Sequence, residues 1–292
     1  MINDFSVSQL EQLALVIDRF LVGRPISQQG PQSQKSRPGS GLEFLDHRLY
    51  SAGDDPRFID WRMTMKQQKP YVKRFQNEAA SNWVICLDNS ASMSLPDNEK
   101  WSTGVKLAAA WAFILLRKGQ RVSLLIFNSD VEHYLPLGRG KTHYGMMINT
   151  LTKAQPSKNS KLTRLAPCME KIPKHSASVV ISDFAFEDAF SEGLHKISGL
   201  CSDVHSFTVY SQEDYFAEND EVFVVEDIET NSKTLLANQA QKRNANHALK
   251  HWFEYLEQEG LSHGIVNSLI DVKKPWSQHM LAHFKKIQRV HA

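Results

Sequence analysis

The residues best placed to do chemistry are Asp88, Ser90 and Ser92, which alternate in the stretch Trp83-Val84-Ile85-Cys86-Leu87-Asp88-Asn89-Ser90-Ala91-Ser92-Met93. One tight loop would then present a carboxylate and two hydroxyls. Oxygen-only donors suit a hard cation such as Mg²⁺, which binds through one or two carboxylates and keeps exchangeable positions. The plainer alternative is that Asp88 and Ser90 cap the helix that follows. A second acid, Asp183, closes another apolar run, Ser178-Val-Val-Ile-Ser-Asp. If the two runs are neighbouring strands, Asp88 and Asp183 converge at one sheet edge, joined by Ser90, Ser92 and a hydroxyl from the loop Gly138 to Gly145. Ligands of open α/β sheets sit at the carboxyl ends of the strands.

Other chemistries fit less well. A phosphatase that starts from a strand-end aspartate and Mg²⁺ needs a second acid two residues on, and position 90 is serine. Neither Ser90 nor Ser182 lies in a Gly-x-Ser-x-Gly elbow. Gly138-Arg-Gly-Lys-Thr resembles part of a P-loop, but the glycine spacing is wrong and no buried strand leads into it. His247/His251 and His279/His283 have the helical i, i+4 spacing of zinc ligands but lack the adjacent glutamate of a zincin, so solvated helix faces are expected. Trp252, Phe253 and Tyr255 read as helix-packing core. Cys86, Cys168 and Cys201 are too widely spaced for a disulfide framework or a zinc knuckle.

The elements that must position these residues alternate between strand and helix. Trp83 to Asp88 is a short apolar run closed by turn formers, the pattern of a buried parallel strand. A helix follows over Glu99 to Lys118, apolar at Val105, Leu107, Ala108, Trp111, Ala112, Leu115 and Leu116, with Gly119 as its stop. Arg121 to Phe127 is a second buried strand, and Val131 to Leu137 a short edge hairpin arm. The glycine-bearing loop Gly138 to Thr150 enters a helix, with a further helical stretch around Leu162 to Ile172. Strands are expected at Ser178 to Asp183, Val204 to Tyr210, Glu221 to Val225 and Gly264 to Ile270. Helices are expected at Asp188 to Leu200, Leu235 to Gly260 and Trp276 to Val290. Short connections between such elements predict an α/β fold, a mostly parallel sheet with helices on both faces.

With 292 residues, 41% hydrophobic and 23% charged, the chain has the composition of an ordinary globular protein with a sizeable core. A net charge of +2 gives no steering toward nucleic acid or anionic lipid. No basic and then apolar leader opens the sequence, and the longest apolar run, Leu107 to Leu116, is too short to span a bilayer. A cytoplasmic protein is expected. Four regions are expected: an N-terminal helix (1–22), a Gln/Ser/Pro/Gly-rich linker (23–40), a strand-rich segment (41–80) and the α/β domain with its C-terminal helices (81–292). The segment from Gly41 to Glu78 mixes acids and arginines around a Gly-Asp-Asp-Pro turn. Asp54, Asp55, Arg57, Asp60 and Trp61 read there as a partly buried ion-pair network or a partner-binding surface rather than acid/base catalysts, since arginines lower carboxylate pKa values.

Asp88-x-Ser90-x-Ser92, a later loop threonine and Asp183 after an apolar strand together resemble the metal-ion-dependent adhesion site of von Willebrand factor A (vWA) domains. The run from Gly41-Leu-Glu-Phe through Gly53-Asp-Asp-Pro-Arg-Phe-Ile-Asp60-Trp61 and into Asp88-Asn-Ser-Ala-Ser-Met93 resembles the vWA-like bacterial family catalogued as domain of unknown function fifty-eight. The likeness covers about Leu10 to Ile270. It implies a Rossmann-type binding module and not an enzyme. Ser90, Ser92 and a threonine would touch Mg²⁺ or Mn²⁺ directly, Asp88 and Asp183 would act largely through water, and a partner's acidic side chain would take the sixth position. Thr142 is the best positioned threonine, although Lys141 and His143 beside it add positive charge. The resemblance also implies a MoxR-type AAA+ ATPase as partner, in assembling or activating client complexes. Many members carry N-terminal transmembrane helices, and this chain has no such segment. After Val209, relatives carry an Asp-Pro-x-Glu run where this chain has Ser211-Gln-Glu-Asp. A scaffold of the same fold with a vestigial, metal-free site is the second expectation, the 41–78 segment then making the contact.

Overall fold

The computed structural model describes residues 7–20, 43–50, 56, 59–76, 82–157, 163–185, 193–216, 223–226, 233–236 and 239–290. The chain divides into two compact units, Met1–Gln28 with Asn82–Ala292, and Gln29–Ser81.

The elements run α1 (Val7–Phe20), β1 (Glu43–Leu49), α2 (Trp61–Gln67), β2 (Tyr71–Gln76), β3 (Asn82–Asp88), α3 (Glu99–Arg117), β4 (Arg121–Phe127), β5 (Val131–Gly138) and α4 (Gly140–Lys153). They continue through α5 (Ala166–Met169), β6 (Ala177–Ser182), α6 (His195–Leu200), β7 (Asp203–Tyr210), β8 (Phe223–Glu226), β9 (Lys233–Leu236), α7 (Gln239–Ser262), β10 (Ile265–Asp271) and α8 (Trp276–Val290).

The larger unit is built on a six-stranded sheet in the order β10-β7-β6-β3-β4-β5. Its strands run parallel except β5, which pairs antiparallel with β4 at the edge. This is the mostly parallel α/β architecture of a vWA-like, Rossmann-type fold. Trp83 to Leu87 are all fully buried, because helices cover both faces of a parallel sheet. Side chains alternate between the two faces. Trp83, Ile85 and Leu87 join a core with α1, α3 and α8, whereas Val84 and Cys86 join a second core with Leu165, Cys168, Ile197 and Leu256.

α1 buries Leu10, Leu13, Ala14 and Ile17 on one stripe and packs on α3 and α8. Asp18 on that helix receives Arg117 at 2.6 Å and Lys118 at 3.0 Å. α3 lies close on β3 at Gly104, where a Cβ would come within 3.0 Å of Leu87 Cδ1. It stops at Gly119, whose φ of 74° lets the backbone turn left-handed while its N–H donates to the Leu116 carbonyl.

In the smaller unit β1 and β2 pair antiparallel, and α2 lies between them in sequence. Asp60 caps α2: its Oδ1 accepts from the backbone N–H groups of Arg62 and Met63, and its Oδ2 lies 2.9 Å from His47 Nε2. Trp61, expected in a partly buried network, is 65% exposed, as the first residue of a short helix that buries none of its side chains. Asp54, Asp55, Arg57 and the 23–40 linker lie outside the described residues.

Several elements differ from expectation. Of the helix expected at Leu162 to Ile172, only the one-turn α5 forms among the described residues. Leu235 and Leu236 belong to β9, where ladder pairing with Val224 and Phe223 claims them, and α7 starts at Gln239. Ser90 takes the N-cap position of a short 3-10 turn, Ala91–Ser94, without a side-chain cap bond, and Asn98 takes that of α3. Of the histidine pairs expected on solvated helix faces, His247 and His251 are exposed, whereas His283 is fully buried among aromatic rings and His279 Nε2 bonds the Asp271 carbonyl at 3.0 Å. The three free cysteines gather on the second core, Cys86 and Cys168 within it and Cys201 packed against it. Burial pushes the Cys201 thiol up to about 12, so it stays protonated and unreactive. Among the described residues no helix is long and apolar enough to cross a membrane.

Candidate functional site

β3 and β6 are adjacent and parallel, with Leu87 opposite Ile181, so Asp88 and Asp183 leave the sheet side by side at its C-terminal edge. The apolar strands deliver both acids into a protein interior. Asp88 is fully buried and Asp183 nearly so, as are Ser90 and Ser182. Asp88 Oδ1 accepts the Ser90 backbone N–H at 2.7 Å, and Oδ2 accepts the Ser182 hydroxyl at 2.5 Å. Ser182 in turn accepts the Phe184 N–H at 2.8 Å, and Asp183 Oδ1 accepts the Ala185 N–H at 3.2 Å. Both acid-bearing turns are thus folded back on their own oxygens. The Ser90 and Ser92 hydroxyls face each other at 3.0 Å.

Burial first, and the negative charge of Asp183 second, push the Asp88 carboxyl up to about 7, against the hydrogen bonds that favour its charge. A second strong feature is Lys100, in the first turn of α3 and buried. Its ammonium lies 2.8 Å from Asp214 Oδ1 and 3.5 Å from Asp183 Oδ2. Burial works against its charge, but the two carboxylates outweigh burial and hold its pKa above the usual lysine value. Sequence reasoning had no signal for Lys100: it belongs to no motif, and its role depends on which strand ends meet.

The loop around Asp88 is held from the other side as well. Asn89 donates to Glu132 Oε2 at 2.5 Å and to the Gln155 carbonyl, and Asn128 donates to Glu132 Oε1 at 2.6 Å. The Ser157 N–H donates to the Asn89 carbonyl, and the Arg164 N–H to the Asn128 carbonyl. Ser157 and Arg164 are therefore tied to this same edge, and Thr163, beside Arg164, is buried.

Thr142 is not at the site. β5 runs antiparallel, so its last residue, Gly138, pairs with Val122 at the start of β4, the opposite edge of the sheet. Thr142 is exposed in the first turn of α4, and its neighbour His143 bonds the Val122 carbonyl at 2.8 Å. At about 1.5 Å per residue, the helix carries the chain roughly 18 Å from Thr142 back to the site edge. The threonine next to Arg164, whose N–H bonds the Asn128 carbonyl beyond β4, is the buried Thr163. Its signal in the sequence was the buried Leu165 two residues on, which anchors the segment in the core under β3 and β4.

Among the described residues no cluster of three or more His, Cys, Asp and Glu side chains is arranged for a metal. The Asp88 edge offers instead two carboxylates with hydroxyls. That donor set fits a hard divalent cation in chemical type: all donors are oxygen, and burial with the charge of Asp183 disfavours ionisation of Asp88, a cost that a bridging cation would relieve.

Fold and site define an α/β domain with a charged, hydroxyl-rich edge at the strand ends. The chain belongs to the family described as "Protein of unknown function DUF58", whose model matches residues 46–251. Uncharacterized protein Rv1480 of Mycobacterium tuberculosis and Uncharacterized protein Mb1516 of Mycobacterium bovis are each 29% identical to it over 154 residues. That match takes in 50% of this chain and 48% of each relative, so the chain spans about half the length of the curated relatives it matches. Among solved structures, the conserved hypothetical protein BatB from Bacteroides thetaiotaomicron is 15% identical, with a TM-score of 0.40 over 73% of this chain and 99% of that one. An uncharacterized membrane spanning protein from Vibrio fischeri is 11% identical, with a TM-score of 0.23 over 72% and 98%.

Proposed function

We propose that this chain is a vWA-like binding module, not an enzyme, whose Asp88–Asp183 edge takes Mg²⁺ or Mn²⁺ and, through the cation, an acidic side chain of a partner protein. The observation that carries this is the crowding of two buried carboxylates beside the paired Ser90 and Ser92 hydroxyls. Such a group is stabilised by a cation that bridges it and still has a coordination position to offer. Thr163 is the threonine that fits the third hydroxyl. The family likeness supports a MoxR-type AAA+ ATPase as the partner and a cytoplasmic role in assembling or activating a client complex.

The test is melting temperature against Mg²⁺ and Mn²⁺ concentration, for the protein and an Asp88→Ala/Ser90→Ala variant. A ligand that binds only the native state raises its stability with concentration. We expect a rise at millimolar cation that the variant loses. The same small or absent rise in both proteins would sink the metal-dependent reading.

A second reading has its own observation. The Lys100 ammonium already supplies a positive charge to Asp183, which favours a metal-free scaffold. Contact with the partner would then fall to the Gln29–Ser81 unit, where Trp61 and Met65 are exposed one helical turn apart.

A further inference from the structure

Resting on the metal-dependent reading, we propose that Lys100 is the resident counter-cation of the Asp88–Asp183 centre. A divalent cation enters by displacing its ammonium from Asp183, leaving it on Asp214 alone.

Four observations carry this. The first is position: Lys100 sits in the first turn of α3, where the helix dipole disfavours a cation. Its placement there is understandable only from what it pairs with. The second is geometry. The ammonium is already shared unequally, 2.8 Å from Asp214 and 3.5 Å from Asp183, so a small swing completes the transfer.

The third is burial. The lysine side chain is 7% exposed and that of Asp183 4%, whereas Asp214 keeps 23%. Asp214 is the better solvated acceptor, able to keep the charge when Asp183 turns to a metal. The fourth is that Asp214 is itself anchored. Its Oδ2 accepts the Ser211 N–H at 2.8 Å, while the Ser211 hydroxyl accepts the Glu213 N–H at 3.2 Å, a reciprocal capping box over Gln212–Asp214. Lys100 thus ties together the first turn of α3, the end of β6 and the turn after β7.

Two consequences follow. A monocation held this close repels an entering dication, so the lysine keeps cation affinity low. Cation entry also redistributes charge onto the turn after β7, giving that turn a means of reporting whether the centre is loaded.

The experiment is Mn²⁺ binding by electron paramagnetic resonance, on the full chain and on Lys100→Met, Lys100→Arg and Asp214→Asn variants, each checked for folding by circular dichroism. Lys100→Met should bind Mn²⁺ at least about tenfold more tightly than the wild type, and Lys100→Arg about equally. Asp214→Asn should bind more weakly, because the ammonium then has only Asp183 to neutralise. Asp88→Ala added to Lys100→Met should abolish the binding. Binding seen only in Lys100→Met would mean that the lysine excludes the cation from the wild type, and it overturns entry by displacement. Should Lys100→Met fail to fold, the sign of the Asp214→Asn effect decides. Affinities unchanged within twofold in the folded charge-altering variants overturn the role of Lys100 and leave the metal site standing. No Asp88-dependent Mn²⁺ binding in any folded protein overturns both.

Discussion

Two places where the sheet buries titratable groups handle them in opposite ways. At the C-terminal ends of β3 and β6, Asp88 and Asp183 are buried as acids, with Lys100 close by as a counter-charge. Toward the N-terminal end of β7, His205 and His283 are buried as bases among rings. His205 stacks on Trp83 at 5.7 Å and lies 5.3 Å from Trp111, while His283 lies 4.4 Å from Phe207. Among the described residues no acid pairs with His283. Burial first, then His205 and Lys286, push its pKa well down, so the ring is neutral. Its two nitrogens are used by His205 Nδ1 at 3.1 Å and the Ser268 hydroxyl at 2.8 Å. In the histidine cluster both ring nitrogens of His283 are satisfied internally, while His205 Nε2 and the indole nitrogens of Trp83 and Trp111 are buried without a hydrogen-bond partner. The acidic edge is only partly satisfied, since Asp88 remains strained in charge. A folded protein tolerates such a residue where a ligand completes it.

The largest effect separates the two regions by packing. Trp111→Ala removes the ring that touches His205, Phe207, His283 and Phe284. Urea unfolding should show a loss of about 3–5 kcal/mol. Cation binding by the fraction still folded should be unchanged, and a parallel loss of cation affinity would show that the two regions are not independent.

Next come two pH dependences of opposite sign. The folded pKa of Asp88, about 7, lies above its unfolded value, so the native state keeps a proton that the unfolded chain releases from about pH 4 upward. Its contribution is therefore full below that window and is lost as pH rises toward 7, at up to about 1.4 kcal/mol per pH unit. Asp88→Asn should remove this slope and leave the cation-free protein more stable at pH 7. Stability equal to wild type there would mean that Asp88 is not strained. In the wild type, cation binding below pH 7 should release a proton from Asp88 and tighten as pH rises.

His283 works the other way. Its folded pKa is depressed, so the unfolded chain takes up a proton below about pH 6.5 that the native state refuses, and stability falls as pH drops. His283→Gln should flatten this acid limb while lowering stability at neutral pH by losing ring contacts. An acid limb unchanged in the variant would assign it to other groups.

Much of this architecture was legible because buried strands announce themselves. Trp83-Val-Ile-Cys-Leu and Ser178-Val-Val-Ile-Ser are apolar on both faces, which only a covered parallel sheet requires. An acid at the end of each run marked the site edge. What a linear reading lacked was direction. Val131 to Leu137 reads as an edge arm, but an antiparallel edge strand delivers its following loop to the far end of the sheet, and Thr142 goes with it. Lys100 was invisible for a related reason: its partners are 83 and 114 residues away, on loops whose meeting depends on strand order. The β8–β9 ribbon was misread where Leu235 and Leu236 suited a helix equally well by period.

The smallest effect is the sharpest test of that lesson. Thr142 is exposed in the first turn of α4, so Thr142→Ala should change stability by no more than about 0.5 kcal/mol. It should also leave Mn²⁺ affinity at the wild-type value, because the whole of α4 separates it from Asp88. Thr163→Val keeps the shape of its side chain and removes only the hydroxyl. At a buried position beside Arg164, that change should weaken Mn²⁺ binding while the protein stays folded. Calorimetric titration of the two variants side by side assigns the third hydroxyl. An effect of Thr142→Ala with none from Thr163→Val would require the β5–α4 connection to reach the C-terminal edge, which an antiparallel β5 forbids.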